Sequence, residues 1–125
     1  MKWCKLGYYF SRNDFAEMAS EMASLVKDNA VRSGAYFANW SRLIAWLASA
    51  PFEVSICGTD AEIFRKELSK HYLPQLLLSG SAQPSELEIL QGKFDPEKTA
   101  IYICRDKNCL APVYSVAEAL KIFAI

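Results

Sequence analysis

The sequence carries no net charge, a single histidine, five glycines and five prolines. Its lysines and arginines are dispersed among aspartates and glutamates with no basic stripe, so nucleic acid and anionic membrane surfaces find no electrostatic footprint. No apolar run approaches the length of a membrane span. The first residues, MKWCKLGYYF, hold two lysines but no uninterrupted apolar stretch and no small-residue cleavage site, which argues against a signal peptide. Neither nucleic acid nor membrane is therefore an expected partner, and the expected location is cytoplasmic. Four cysteines without an export signal then predict reduced thiols in place of a disulfide framework. His71 has no Ser–His–Asp or Cys–His set assignable around it, so no catalytic residue is named. No Gly-rich phosphate loop, C-x-x-C pair or internal repeat occurs, and no cofactor is expected.

What the chain does have is apolar and aromatic bulk, 52% hydrophobic and 13% aromatic residues, rich for a small domain. After Ser11 and Asp14, a weak capping signal, Phe15, Met18, Met22, Leu25 and Val26 recur at helical spacing and predict a buried face, with Ala16, Ala19 and Ala23 lining close neighbours. Glu17 and Glu21 fall one turn apart on that helix, on what reads as a solvated face. The polar stretch 27–32 reads as a break. A second helix is predicted from Ser33 to Ala48, with Tyr36, Phe37, Trp40, Leu43, Ile44 and Leu47 as a wide apolar stripe, ending before Pro51. Two such helices predict an αα-hairpin with more aromatic surface than it can bury alone. The start at Met1–Phe10 reads as the end of an element begun upstream.

From Pro51 the pattern changes. Phe52–Cys57 is a short apolar run, Gly58 a turn, and Thr59-x-x-Glu62 a capping box for a helix to Tyr72 with Ile63, Phe64, Leu68 and Tyr72 buried. Gln75–Leu78 reads as the next strand, which completes a βαβ unit. Gly58 is better explained as a plain helix cap than as a phosphate turn. A polar connection over 79–98 includes Ser85-x-x-Glu88, capping a short helical turn. Then AIYIC and CLAPV flank the tetrad Arg105–Asn108 as a β-hairpin with a four-residue loop. Ser115-x-x-Glu118 caps a last helix, Val116–Phe123.

The expectation is an α+β fold. An αα-hairpin in 1–50 packs on a small mixed sheet in 51–125 holding one βαβ unit and the β-hairpin, with one continuous core. The cysteines Cys104 and Cys109 edge that hairpin within disulfide reach. As a metal site they supply two of four ligands, and none is assigned. Small apolar side chains packed at a turn are the leading account, and a reversible redox pair is the alternative. Tyr36 and Trp40 are core aromatics first and ligand-stacking residues second.

The ending Tyr102-Ile103-Cys104-x4-Cys109-x2-Pro112, followed by a short helix, resembles the carboxy-terminal signature of the spermatogenesis-associated, thioredoxin-domain-containing proteins. Ala38-Asn39-Trp40, Glu53-Val54 before Gly58, and His71-Tyr72-Leu73-Pro74 are similar as well. The resemblance implies that the helical hairpin is the end of an α/α toroid like that of six-hairpin glycosidases, and that the chain is a carboxy-terminal segment without the thioredoxin-like domain. The leading function is then a non-catalytic structural or interaction segment, covered by another protein chain or by self-association through the aromatic hairpin. A thiol-redox or redox-sensing element using Cys104 and Cys109 is the alternative. A third reading is part of a sugar-binding, epimerase- or glycosidase-like pocket lined by Tyr36, Trp40 and nearby carboxylates.

Overall fold

Two short interruptions, at Ser11 and at Gly34, decide how the first fifty residues fold. A computed structural model describes residues 2–123, and its chain divides into two compact units, Met1–Ala50 and Pro51–Ile125. The first unit is all helical, with α1 Lys2–Tyr9, α2 Asn13–Arg32 and α3 Ala38–Ala48. Ser11 takes a left-handed φ of 50°, and the Arg12 N–H donates to the Gly7 carbonyl at 2.9 Å, which turns α1 into α2. The expected Ser11 cap is not formed. Arg12 holds the cap position without a side-chain bond and pairs instead with Asp14, at 2.8 and 2.6 Å.

Helix α2 runs through the polar stretch 27–32 that the sequence reads as a break. Lys27, Asp28 and Asn29 are its solvated face, and Ala30 of the same turn is buried. The helix stops at Ser33, and turns closed by Tyr36 N–H to Ser33 and Phe37 N–H to Gly34 lead into α3. The inward face of α2 is also a correction. Ala19, Ala23 and Ala30 are buried, whereas Met18, Met22 and Leu25 are exposed, Leu25 by 81%. Alanines bring backbones close, so α2 can contact both α1 and α3 without large side chains between them. On α3 the buried residues are Leu43 and Trp46; Tyr36 lies before the helix and Leu47 faces out.

The second unit is a four-stranded mixed sheet in the order β2-β1-β3-β4, with β1 Phe52–Cys57, β2 Leu76–Ser81, β3 Ala100–Arg105 and β4 Asn108–Cys109. Strand β1 pairs parallel with β2 and antiparallel with β3, so the expected βαβ unit and hairpin are both present. The helix of the βαβ unit, α4, is shorter than predicted, Ala61–Leu68. Ala61 and Leu68 are buried; Ile63 is exposed, and Tyr72 and His71 lie beyond the helix end in solvent. The Thr59–Glu62 capping box does not form, because Glu62 is drawn to Arg65 and Lys66 one turn on. Ser85 accepts from the Leu87 N–H, but the segment forms turns and not a helix.

One face of the sheet carries the core. Val54 and Ile56 of β1 and Ile101 and Ile103 of β3 pack under Ala61 and Leu68 of α4 and under Val116, Ala119 and Phe123 of α5, Val116–Phe123. Each fully buried Val, Ile or Phe here contributes about 1.5–3 kcal/mol. Ser115 caps α5, its Oγ accepting from the Glu118 N–H, and the Glu118 carboxylate reaches one residue past the cap to accept from the Tyr114 N–H.

Candidate functional site

Because strand side chains alternate, packing Val54 and Ile56 into the core turns Glu53, Ser55 and Cys57 onto the opposite face. Register adds their neighbours. Ser79 and Ser81 of β2 lie beside Ser55 and Cys57, and Tyr102 and Cys104 of β3 beside Ser55 and Glu53. The connection over 82–98 covers part of this face, with Leu90 buried.

Ser55 is 1% exposed and fully engaged. Its hydroxyl donates to the Ile89 carbonyl at 3.1 Å and accepts from Lys93 Nζ at 3.4 Å, with Ser79 Oγ at 3.1 Å. Lys93 Nζ also stands 5.5 Å from the centre of the Tyr102 ring. Burial pushes the Lys93 amine below its ordinary value, against the pull of Cys57 and Glu53. Burial pushes the Glu53 carboxyl up, Asp106 adds to the rise, and Lys93 and Lys107 oppose it. The Cys57 thiol is likewise raised by burial, which keeps it protonated and a poor nucleophile.

At the edge of the same face stand Cys104 and Cys109. The hairpin is tighter than its sequence predicts: β3 and β4 extend to Arg105 and Asn108, which leaves a two-residue turn. Asp106 and Lys107 both take positive φ, 50° and 64°, as a type I′ turn demands. Cys104 therefore pairs directly with Cys109, Cα to Cα 3.9 Å, and the two are joined in a disulfide. The reduced thiols expected of this pair are not what the structure holds: paired register puts the sulfurs within bonding distance. Cys104 is buried and Cys109 exposed, while Cys4 and Cys57 are free and buried.

The other candidate residues stay apart. Tyr36 is 91% exposed in the turn before α3, and Trp40 is half-buried on its first turn, so the two do not share a helix face. A cleft of about 430 Å³ lies between α4 and the end of β2, lined by Ile56, Glu62, Arg65, Gly80 and Ser81; its cation, Arg65, is held by Glu62 through two bonds of 2.7 Å. Among the described residues no group of three or more His, Cys, Asp or Glu is placed to hold a metal ion. No described helix is long and apolar enough to cross a membrane.

The polar sheet face had a sequence signal: Phe52 to Cys57 alternates apolar and small-or-polar side chains at period two. Fold and site together define an α+β protein with a cross-strand disulfide at the rim of a half-buried polar face. No family model, curated protein or solved structure matches the chain.

Proposed function

We propose that the second unit is a thiol–disulfide element whose working bond is Cys104–Cys109. The observation that carries this reading is where the bond sits. It closes a turn already held by paired strands, with one sulfur-bearing residue in solvent. A loop this short constrains the unfolded chain by only about 2 kcal/mol, against about 3 for a fifteen-residue loop. The bond thus adds little to stability where it is most open to attack, and exposed disulfides are the labile ones. In a cytoplasmic setting such a bond forms and breaks with the redox state.

The test is alkylation of the folded chain in glutathione buffers of graded potential, read by mass spectrometry at each cysteine. Cys104 and Cys109 are expected to become modified together through a reversible midpoint, with Cys4 and Cys57 protected throughout. A bond that resists reduction until the chain unfolds is a structural staple, and the proposal fails.

A second reading, an interaction segment in the first unit, is favoured by the exposed stripe of Met18, Met22 and Leu25 on one face of α2. Met-rich apolar surface adapts to partners, and a second copy of the chain is the simplest occupant to test. Light scattering of the full chain and of Leu25→Lys decides it. Concentration-dependent association lost in the variant supports the reading, and a strict monomer in both removes self-association.

A further inference from the structure

Register places three side chains in one row across the polar face: Glu53 on β1, Cys104 on β3 and Cys109 on β4, each directly paired with the next. Directly paired residues hold their Cβ atoms about 4.5–5.5 Å apart, within reach of one another's functional groups. Cys104 is thus flanked by its disulfide partner on one side and by a carboxyl on the other.

The two sulfurs are not equivalent. Cys109 is exposed and Cys104 is 5% exposed, so an incoming thiolate has access to Cys109. Attack there expels Cys104 as the leaving group, and a thiolate stranded in a buried site is costly unless it is neutralised. The charged groups that act on Glu53 are Lys93 from the covering connection and Asp106 and Lys107 from the turn, and on β3 it pairs directly with Cys104. Besides Cys109 itself, the side chain paired directly with Cys104 is the Glu53 carboxyl.

We propose that Glu53 is the proton donor to Cys104 when the disulfide opens, and the proton acceptor when it closes. This rests on the redox reading above. A thiolate of a dithiol reductant attacks Cys109 Sγ, the Cys104–Cys109 bond breaks, and its electron pair leaves on Cys104 Sγ. That sulfur takes the Glu53 proton. The second thiolate of the reductant then displaces Cys109, whose sulfur takes a proton from water. The reductant ends as a disulfide, oxidised by two electrons, and the protein ends as two thiols. Glu53 regains its proton from solvent, which received the two protons of the dithiol. Burial of the carboxyl supports this role, since it keeps its proton to higher pH than an exposed glutamate does.

The experiment compares rates of reduction by dithiothreitol in the wild-type chain, Glu53→Gln and Glu53→Asp, across pH. Dividing wild-type by Gln rates removes the ionisation of the reductant. Thiolates leave more readily than oxygen leaving groups, so the gain lies below the usual range for general acids, at about tenfold. The ratio is expected to be about tenfold where Glu53 is protonated and to fall toward one as pH rises through its titration, with Asp recovering part of the pH dependence. A ratio flat with pH overturns the proton-donor role while leaving the redox reading intact. A wild-type bond that dithiothreitol reduces only on unfolding overturns both. Should the Gln variant fail to fold, wild-type rates are divided by those of Glu53→Asp instead: a ratio above one at acid pH that falls as pH rises supports the role, and a ratio of one at every pH overturns it.

Discussion

The Asp60 backbone N–H donates to the Thr99 hydroxyl at 2.9 Å, a bond that reaches across 39 positions of chain. It ties the entry of α4 to the entry of β3 at the point where Gly58 turns. Gly58 has a φ of +137°, and a Cβ there would stand 2.5 Å from Thr99 Cα and 2.9 Å from the Lys98 carbonyl. Both obstacles are tied to the backbone, so neither can step aside cheaply. Gly58→Ala is expected to destabilise the second unit by about 2–4 kcal/mol, the sum of a disfavoured φ and an overpacked contact. Urea melts check this, and a shift below 1 kcal/mol contradicts the geometry.

In the first unit Trp46, not Trp40, is the buried indole, 4% exposed with Lys5 and Arg42 near its ring. Trp46→Ala is expected to cost about 3–5 kcal/mol. Trp40→Ala, at a half-buried position, is expected to cost about 1–2 kcal/mol. Equal costs, or the reverse order, measured by chemical denaturation, would place the core elsewhere on α3.

Lys107 holds a left-handed backbone without being glycine. Lys107→Gly is expected to stabilise the hairpin by about 0.5–1 kcal/mol, the relief of left-handed strain less the freedom glycine gains when unfolded. Loss of stability in thermal melts would show that the turn is not of type I′ form.

Glu53 links stability to pH with a definite sign. Its folded value is raised by burial, so the stability present below the ordinary carboxylate range is lost as pH rises through the raised value. Glu53→Gln removes that loss. The variant is expected to match wild type at acid pH and exceed it above the carboxylate range, as urea melts over a pH series will read. A difference independent of pH, or of opposite sign, contradicts the buried carboxyl.

The second unit was legible because its punctuation is local. The run Phe52–Cys57, Gly58, a helical period and a second apolar run can be read as strand, turn, helix and strand without knowing the tertiary contacts. The hairpin was legible in place but not in length, since Asp106 and Lys107 give no Asn-Gly or Gly signal for a two-residue turn. In the helical unit the misleading residues were the bulky ones of α2: Phe15 and Val26 are half-buried, but Met18, Met22 and Leu25 face out. Alanine packs close because it is small, and pattern reading ranks Met18 and Leu25 above Ala19 and Ala23 by bulk. The crowded aromatic segment, legible only as part of some element, is the short helix α1. The candidate site was half visible. Two cysteines near a turn can be seen in sequence, but the row Glu53–Cys104–Cys109 exists only once register is fixed.

Strand β1 lies in the middle of the sheet yet is the first of its strands to be made, with β2 and then β3 arriving on either side. At about 5–20 residues per second, seconds of translation separate Cys57 from Arg105. Through that interval one long edge of β1 has no partner, and Val54 and Ile56 have no lid until α4 and finally α5 emerge. The ribosome-bound chain therefore passes through a stage in which Cys57, protected in the finished sheet, is open to chaperones and oxidants. Pairing of β3 with β1 ends that exposure for Cys57, and α5 closes the core face last of all.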